Sequence, residues 1–142
     1  GQNDLRETNY QQYSPVDVFI QRLSVVITAA QEKKMYVILC TPLAVPFYMD
    51  GQLIDRLGAY PQAIRRLAEQ KQLPLVDMEA VTKAWLTETG EDGAKAYYVD
   101  WDTNPASVGE YLLNEKGAQV VSRMAEEQLK GLNLKYLNKV LK

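Results

Sequence analysis

Four aspartates of this 142-residue chain lie in loops or at the ends of apolar runs, where a carboxylate can reach a reacting group. They are Asp4 next to Asn3, Asp77 after "LPLV", and Asp100 and Asp102 on either side of Trp101. A carboxylate in such a place can act in proton transfer or orient the group that does. Each also has a plainer role. Asn3 and Asp4 bond readily to local backbone as a turn. Asp77 suits the start of the helical pattern "EAVTKAW" as its cap, and this is the preferred assignment. Asp100 and Asp102 serve equally well as turn and cap residues around Asn104 and Pro105. Tyr97, Tyr98 and Trp101 form either a stacking platform for a sugar ring or a hydrophobic plug for their loop, the plug being preferred.

A serine nucleophile needs a neighbouring base that takes its proton and returns it to the leaving group. The chain has no histidine, so no imidazole fills that role. Lysine or a carboxylate would have to replace it, and neither is placed beside a serine in a recognisable pattern.

Composition narrows the field further. At 142 residues, 46% hydrophobic and 24% charged, the chain has the size and balance of one globular domain with a real core. A net charge of −2, a pI near 5.2 and scattered Lys and Arg give no support to nucleic-acid binding, which needs a clustered positive field, and no nucleic-acid partner is expected. The single cysteine, Cys40, rules out an intramolecular disulfide and a cysteine metal cluster. It is expected to be a small buried hydrophobe inside "MYVILCTP". No cofactor or metal is expected. No apolar stretch approaches the roughly 18 residues of a membrane span, and no signal peptide is read at the start, so no membrane partner is expected.

The elements that must position these residues alternate between helix and strand. Residues 14–34 read as a helix, with Ser14 to cap it, Pro15 at its first position and Asp17 in its first turn. Val16, Phe19, Ile20, Leu23, Val26, Ile27 and Ala30 form its apolar face. "MYVILC", residues 35–40, reads as a strand buried on both faces. Residues 43–60 read as a loop with a short helical piece. A second helix follows from Pro61, with Ile64, Leu67 and Ala68 inward, and then a strand, "LPLVDM". A third helix, with Val81, Trp85 and Leu86 inward, is stopped by Gly90. A loop, with a short extended piece at "YYV", leads to a fourth helix. Asn114 caps it, and Val120, Val121, Met124, Ala125 and Leu129 face inward. Residues 133–142 read as a helical extension. Strands joined by helix-length crossovers imply α/β architecture with parallel strands, although two strands make a short sheet.

Several segments together resemble the SGNH hydrolases, also called GDSL-type esterases. They are "GQND", "VILCTPLAVPF", "LGAYPQAIRRLAEQKQLPLVDM" and "LNEKGAQVVSRMAEEQL", in that order. The nearest likeness is to the branch of rhamnogalacturonan acetylesterases, which remove acetyl groups from plant polysaccharides. The resemblance covers residues 1–132 and implies a single but partial domain over residues 1–142. Its fold would be a three-layer α/β/α flavodoxin-like arrangement around a parallel sheet, here without the N-terminal strands. The Gly-Asp-Ser block of the nucleophile would lie upstream of Gly1.

The resemblance makes Asn3 an oxyanion donor, a role whose loss typically costs ~10²–10³ in rate. It makes Asp4 a supporting residue that holds its loop, and it brings the region of Asp100 and Asp102 near the catalytic centre. The pattern Asp-x-x-His-Leu-Asn-Glu falls on "GEYLLNE", so Gly109 stands at the aspartate and Leu112 at the histidine. The expectation is therefore an esterase-like domain, inactive as this chain because the serine and histidine of the triad are missing. Acetylated carbohydrate is its expected ligand. A homodimer through an exposed sheet edge and a periplasmic or secreted location are also expected. The alternative is a non-catalytic binding or assembly module on the same α/β scaffold.

Overall fold

The structure is a computed structural model, and it describes Asp4, residues 13–99, Trp101 and residues 111–135. The chain divides into two compact units, one of Gly1–Pro42 with Leu57–Val76 and one of Leu43–Arg56 with Asp77–Lys142.

In the first unit, helix α1 (Val16–Glu32) leads to strand β1 (Leu39–Cys40), and helix α2 (Tyr60–Gln70) to a strand of Leu75–Val76. The two strands pair in parallel, with Leu39 opposite Leu75 and Cys40 opposite Val76. The expected parallel pairing is present, and the fold is mixed α/β with a small sheet and several helices. Its core joins Ile27, Leu39, Ile64, Leu67 and Ala68, with Phe19, Ile20 and Leu23 packed against them. Apart from Leu39 of β1, these are the residues that the helical spacing of α1 and α2 turns to one side.

Four expectations fail in this unit. The strand spans only Leu39–Cys40 rather than residues 35–40, and Met35 and Tyr36 are 60% and 77% exposed. Cys40 is exposed rather than buried, since it alternates with buried Leu39 along a strand with one covered face. Val26 is also exposed, at the edge of the apolar stripe. The start of α1 differs as well. Pro15 is the cap and no side chain bonds there. The Ser14 hydroxyl instead accepts from Arg22 at 2.6 Å, and its carbonyl accepts from the Tyr60 hydroxyl at 2.6 Å.

In the second unit, residues expected to be loop form an antiparallel hairpin of β2 (Tyr48–Met49) and β3 (Gln52–Leu53). Asp50 and Gly51 both have positive φ, 51° and 74°. Two such residues make the turn whose twist matches paired strands. With those strands numbered, Leu75–Val76 is β4. Helix α3 (Met78–Ala94) begins at Asp77, whose carboxylate accepts from the Ala80 amide at 3.4 Å, as its cap assignment requires. The helix breaks at Gly90, where φ is 69°, but resumes to Ala94 rather than stopping. A 3-10 turn (Lys95–Tyr97) and helix α4 (Glu115–Gly131) complete the unit.

The core of this unit gathers Ala44, Leu86, Ala94 and Tyr98, with Tyr48, Trp85, Tyr97, Trp101 and Tyr111 around them. Thr82 is buried within α3. Its hydroxyl donates to the Met78 carbonyl at 2.6 Å and accepts from the Ala44 amide at 2.9 Å, which ties the hairpin segment to the helix. Val120, Val121, Met124, Ala125 and Leu129 of α4 are half-buried on the expected side. Most of the expected helical extension at residues 133–142 lies outside the described residues.

Candidate functional site

Asn114 organises the segment that carries the "LNEKGA" likeness. Its side-chain oxygen accepts from the Gly117 amide at 3.0 Å, and its side-chain amide donates to the Ala96 carbonyl at 2.9 Å. Its backbone amide donates to the Tyr97 carbonyl at 3.0 Å, and the Val99 amide donates to the Leu112 carbonyl at 2.8 Å. Tyr98 and Leu113 form an antiparallel bridge. One residue therefore caps α4 and fastens it to the turn before it. At these positions the chain holds a cap, a bridge and a close helix approach. Leu112, at the histidine position of the likeness, is 68% exposed.

Around this anchor the aromatic side chains converge. Trp101 lies 5.4 Å from Tyr111, 5.7 Å from Tyr98 and 6.3 Å from Tyr48, centroid to centroid. Trp85 meets Tyr97 edge-on at 5.0 Å. Such tilted and edge-to-face arrangements favour the opposed charge of ring face and ring edge. Tyr98 is buried, so it acts as the plug that the sequence favoured. Trp101 and Tyr111 remain half-exposed. With Pro46, Phe47, Tyr48 and Glu91 they line a cleft of about 70 Å³. The guanidinium of Arg56 stands over the Phe47 ring at 4.5 Å from its centroid.

Burial sets the titration of these phenols. It raises Tyr48 to about 12, with the Glu91 carboxylate adding to the rise. Burial raises Tyr98 further, and Tyr48 contributes. In Tyr111 burial again dominates; Arg56 opposes it and Glu91 reinforces it. A phenol whose folded pKa exceeds the unfolded value of 10 stabilises the fold fully below pH 10. That contribution is lost as pH climbs from 10 towards 12. Thermal melts should therefore hold a level midpoint up to about pH 10 and fall above it, less steeply in Tyr48→Phe. A midpoint level to pH 12 would show that the ring is not held as described.

Of the residues expected from sequence to act, Asp4 is within the described set. Its backbone carbonyl accepts from the Ser14 amide and from the Tyr60 hydroxyl, both at 3.2 Å. Asn3, Asp100 and Asp102 lie outside the described residues. Glu91, Arg56, Phe47 and Tyr48 were not foreseen. An Asp-Gly pair between short apolar runs marked the hairpin that presents Tyr48, but no local pattern marks Glu91. Among the described residues, no three His, Cys, Asp or Glu side chains are grouped to hold a metal ion. No described helix is long and apolar enough to cross a membrane.

Comparison with known proteins finds two distant relatives, both from Bacillus subtilis (strain 168). The chain is 25% identical over 144 residues to the probable rhamnogalacturonan acetylesterase YesY, covering 100% of this chain and 64% of the relative. It is 28% identical over 141 residues to the rhamnogalacturonan acetylesterase RhgT, covering 94% of this chain and 60% of the relative. The chain thus spans less than two-thirds of the length of either. No protein-family profile matches it, and no solved structure does.

Proposed function

We propose that the chain forms part of a carbohydrate-esterase-like domain of the SGNH type, and that these 142 residues alone do not hydrolyse esters. One observation carries the kinship: two rhamnogalacturonan acetylesterases match along 100% and 94% of the chain. The mixed α/β fold with its parallel β1–β4 pair is compatible with the three-layer scaffold this reading implies. Inactivity follows from composition, because no imidazole is present to activate a serine.

The chain is expected to release acetate from acetylated rhamnogalacturonan, and nitrophenolate from p-nitrophenyl acetate, no faster than buffer does. Turnover that a serine-directed fluorophosphonate blocks would reject the inactive assignment. Retention in affinity electrophoresis by rhamnogalacturonan, and not by cellulose, tests the carbohydrate kinship separately. The absence of histidine also favours a second reading, in which the same scaffold serves to bind a glycan without cleaving it.

A further inference from the structure

The cleft in the second unit combines features that no local pattern announced. Its wall is a run of rings in mutual contact, with Trp101 and Tyr111 half-exposed. Glu91 reaches it from the segment just after the Gly90 break in α3. The Glu91 carboxylate is near enough to the Tyr48 and Tyr111 phenols to raise both. Among the described residues it forms no ion pair or side-chain hydrogen bond, so its oxygens retain capacity to accept. The Tyr48 hydroxyl already donates to the Leu86 carbonyl at 2.8 Å, which fixes that ring. Arg56 brings a positive group to the Phe47 side, held over the ring face.

Three ligand chemistries meet an aromatic wall with a carboxylate: a methylated ammonium, an aliphatic side chain and a sugar. An ammonium cage needs rings set apart around the cation. Here Trp101 lies only 5.4 Å from Tyr111 and 5.7 Å from Tyr98, so the rings form a wall with no gap between them. An aliphatic ligand would bury Glu91 with nothing to donate to it, which is costly. A pyranose satisfies both parts. Its C–H face covers aromatic carbon, and its hydroxyls donate to the carboxylate in charge-assisted bonds.

We propose that this cleft holds one pyranose residue of a glycan, stacked on Trp101 beside the tilted Tyr111 ring, with its hydroxyls bonded to Glu91. The cleft, about 70 Å³, is too small to enclose a pyranose, so the stacked ring lies across its mouth and leaves the adjoining sugars in solvent, as binding within a polymer requires. The assignment rests on the carbohydrate reading above and adds to it the surface that holds the sugar.

Rhamnogalacturonan oligosaccharides, titrated into the 142-residue chain, should bind saturably by calorimetry and perturb indole emission, because Trp101 lies in the wall. Glu91→Gln keeps the shape of the side chain and removes its charge. It should weaken binding about tenfold without shifting the thermal midpoint. Trp101→Ala should abolish the emission change, and circular dichroism shows whether it folds; if it does not, Glu91→Gln decides alone. Met35→Ser, in the other unit, should leave affinity unchanged. Parent-like affinity in Glu91→Gln would place the sugar elsewhere and overturn this assignment while sparing the carbohydrate reading. Absence of any binding to the parent chain would overturn both.

Discussion

Gly117→Ala is expected to destabilise the chain by about 1–3 kcal/mol, although alanine normally gains about 0.5–1 kcal/mol over glycine inside a helix. The sign turns on what the added methyl meets. Gly117 is buried in the first turn of α4, and a Cβ there would press into the Tyr97 carbonyl oxygen and stand 2.9 Å from Leu113 Cδ2. The leucine can rotate, but the carbonyl cannot easily yield. It is backbone, and it accepts from the Asn114 amide at 3.0 Å. Relief therefore requires the helix start to move off the 3-10 turn, straining the Asn114 cap and the Tyr98–Leu113 bridge with it. Overpacking against a fixed partner outweighs the propensity gain. Urea denaturation followed by far-ultraviolet circular dichroism measures the effect. A midpoint equal to or above that of the parent would mean that the close approach does not exist.

Leu86→Ala should cost about 2–5 kcal/mol, towards the upper part of that range. Leu86 is 0% exposed and packs with Ala44, Ala94 and Tyr98. Its carbonyl accepts from the Tyr48 hydroxyl at 2.8 Å, so the backbone is held and the void cannot close by a local shift of the helix. Against a typical domain stability of about 5–15 kcal/mol, that loss is a large share. The half-buried Val81 on the same helix gives the comparison, and its replacement by alanine should cost less. A Leu86→Ala effect no greater than that of Val81→Ala in the same denaturation series would show that the cluster is not closely packed.

The two substitutions separate local determination from tertiary assembly. Gly117 lies in a stretch where the sequence was explicit. Asn114 precedes a helical pattern and was assigned as its cap, which its bond to the Gly117 amide fulfils. Asp77 was assigned in the same way and behaves so. The buried faces of α2 and α4 followed from spacing, because a side chain's direction on a helix depends only on its place in the turn. None of this explains why residue 117 must be glycine. That requirement comes from the Tyr97 carbonyl, which the bonds of Asn114 bring against the helix start.

Where burial depended on other elements, sequence was a poorer guide. "MYVILC" is apolar throughout, yet Met35, Tyr36 and Cys40 are exposed, since composition records what a residue prefers and not which neighbours cover it. The hairpin's two-residue strands show no alternation to read, and its only local mark is the Asp50-Gly51 turn. The cleft was overlooked for a related reason. Phe47, Tyr48, Glu91, Trp101 and Tyr111 share no period, and each is an ordinary surface or core residue taken singly.

By itself the sequence determined where most helices lie, the caps at Asp77 and Asn114, the parallel pairing of two short strands, and the lack of an imidazole. Those properties are set by residue type or by neighbours within a few positions. Only the tertiary structure decided which apolar residues are covered, why glycine occupies position 117, and that a carboxylate stands before a wall of aromatic rings. These depend on contacts between segments far apart in the chain, and such contacts exist only once the fold has closed.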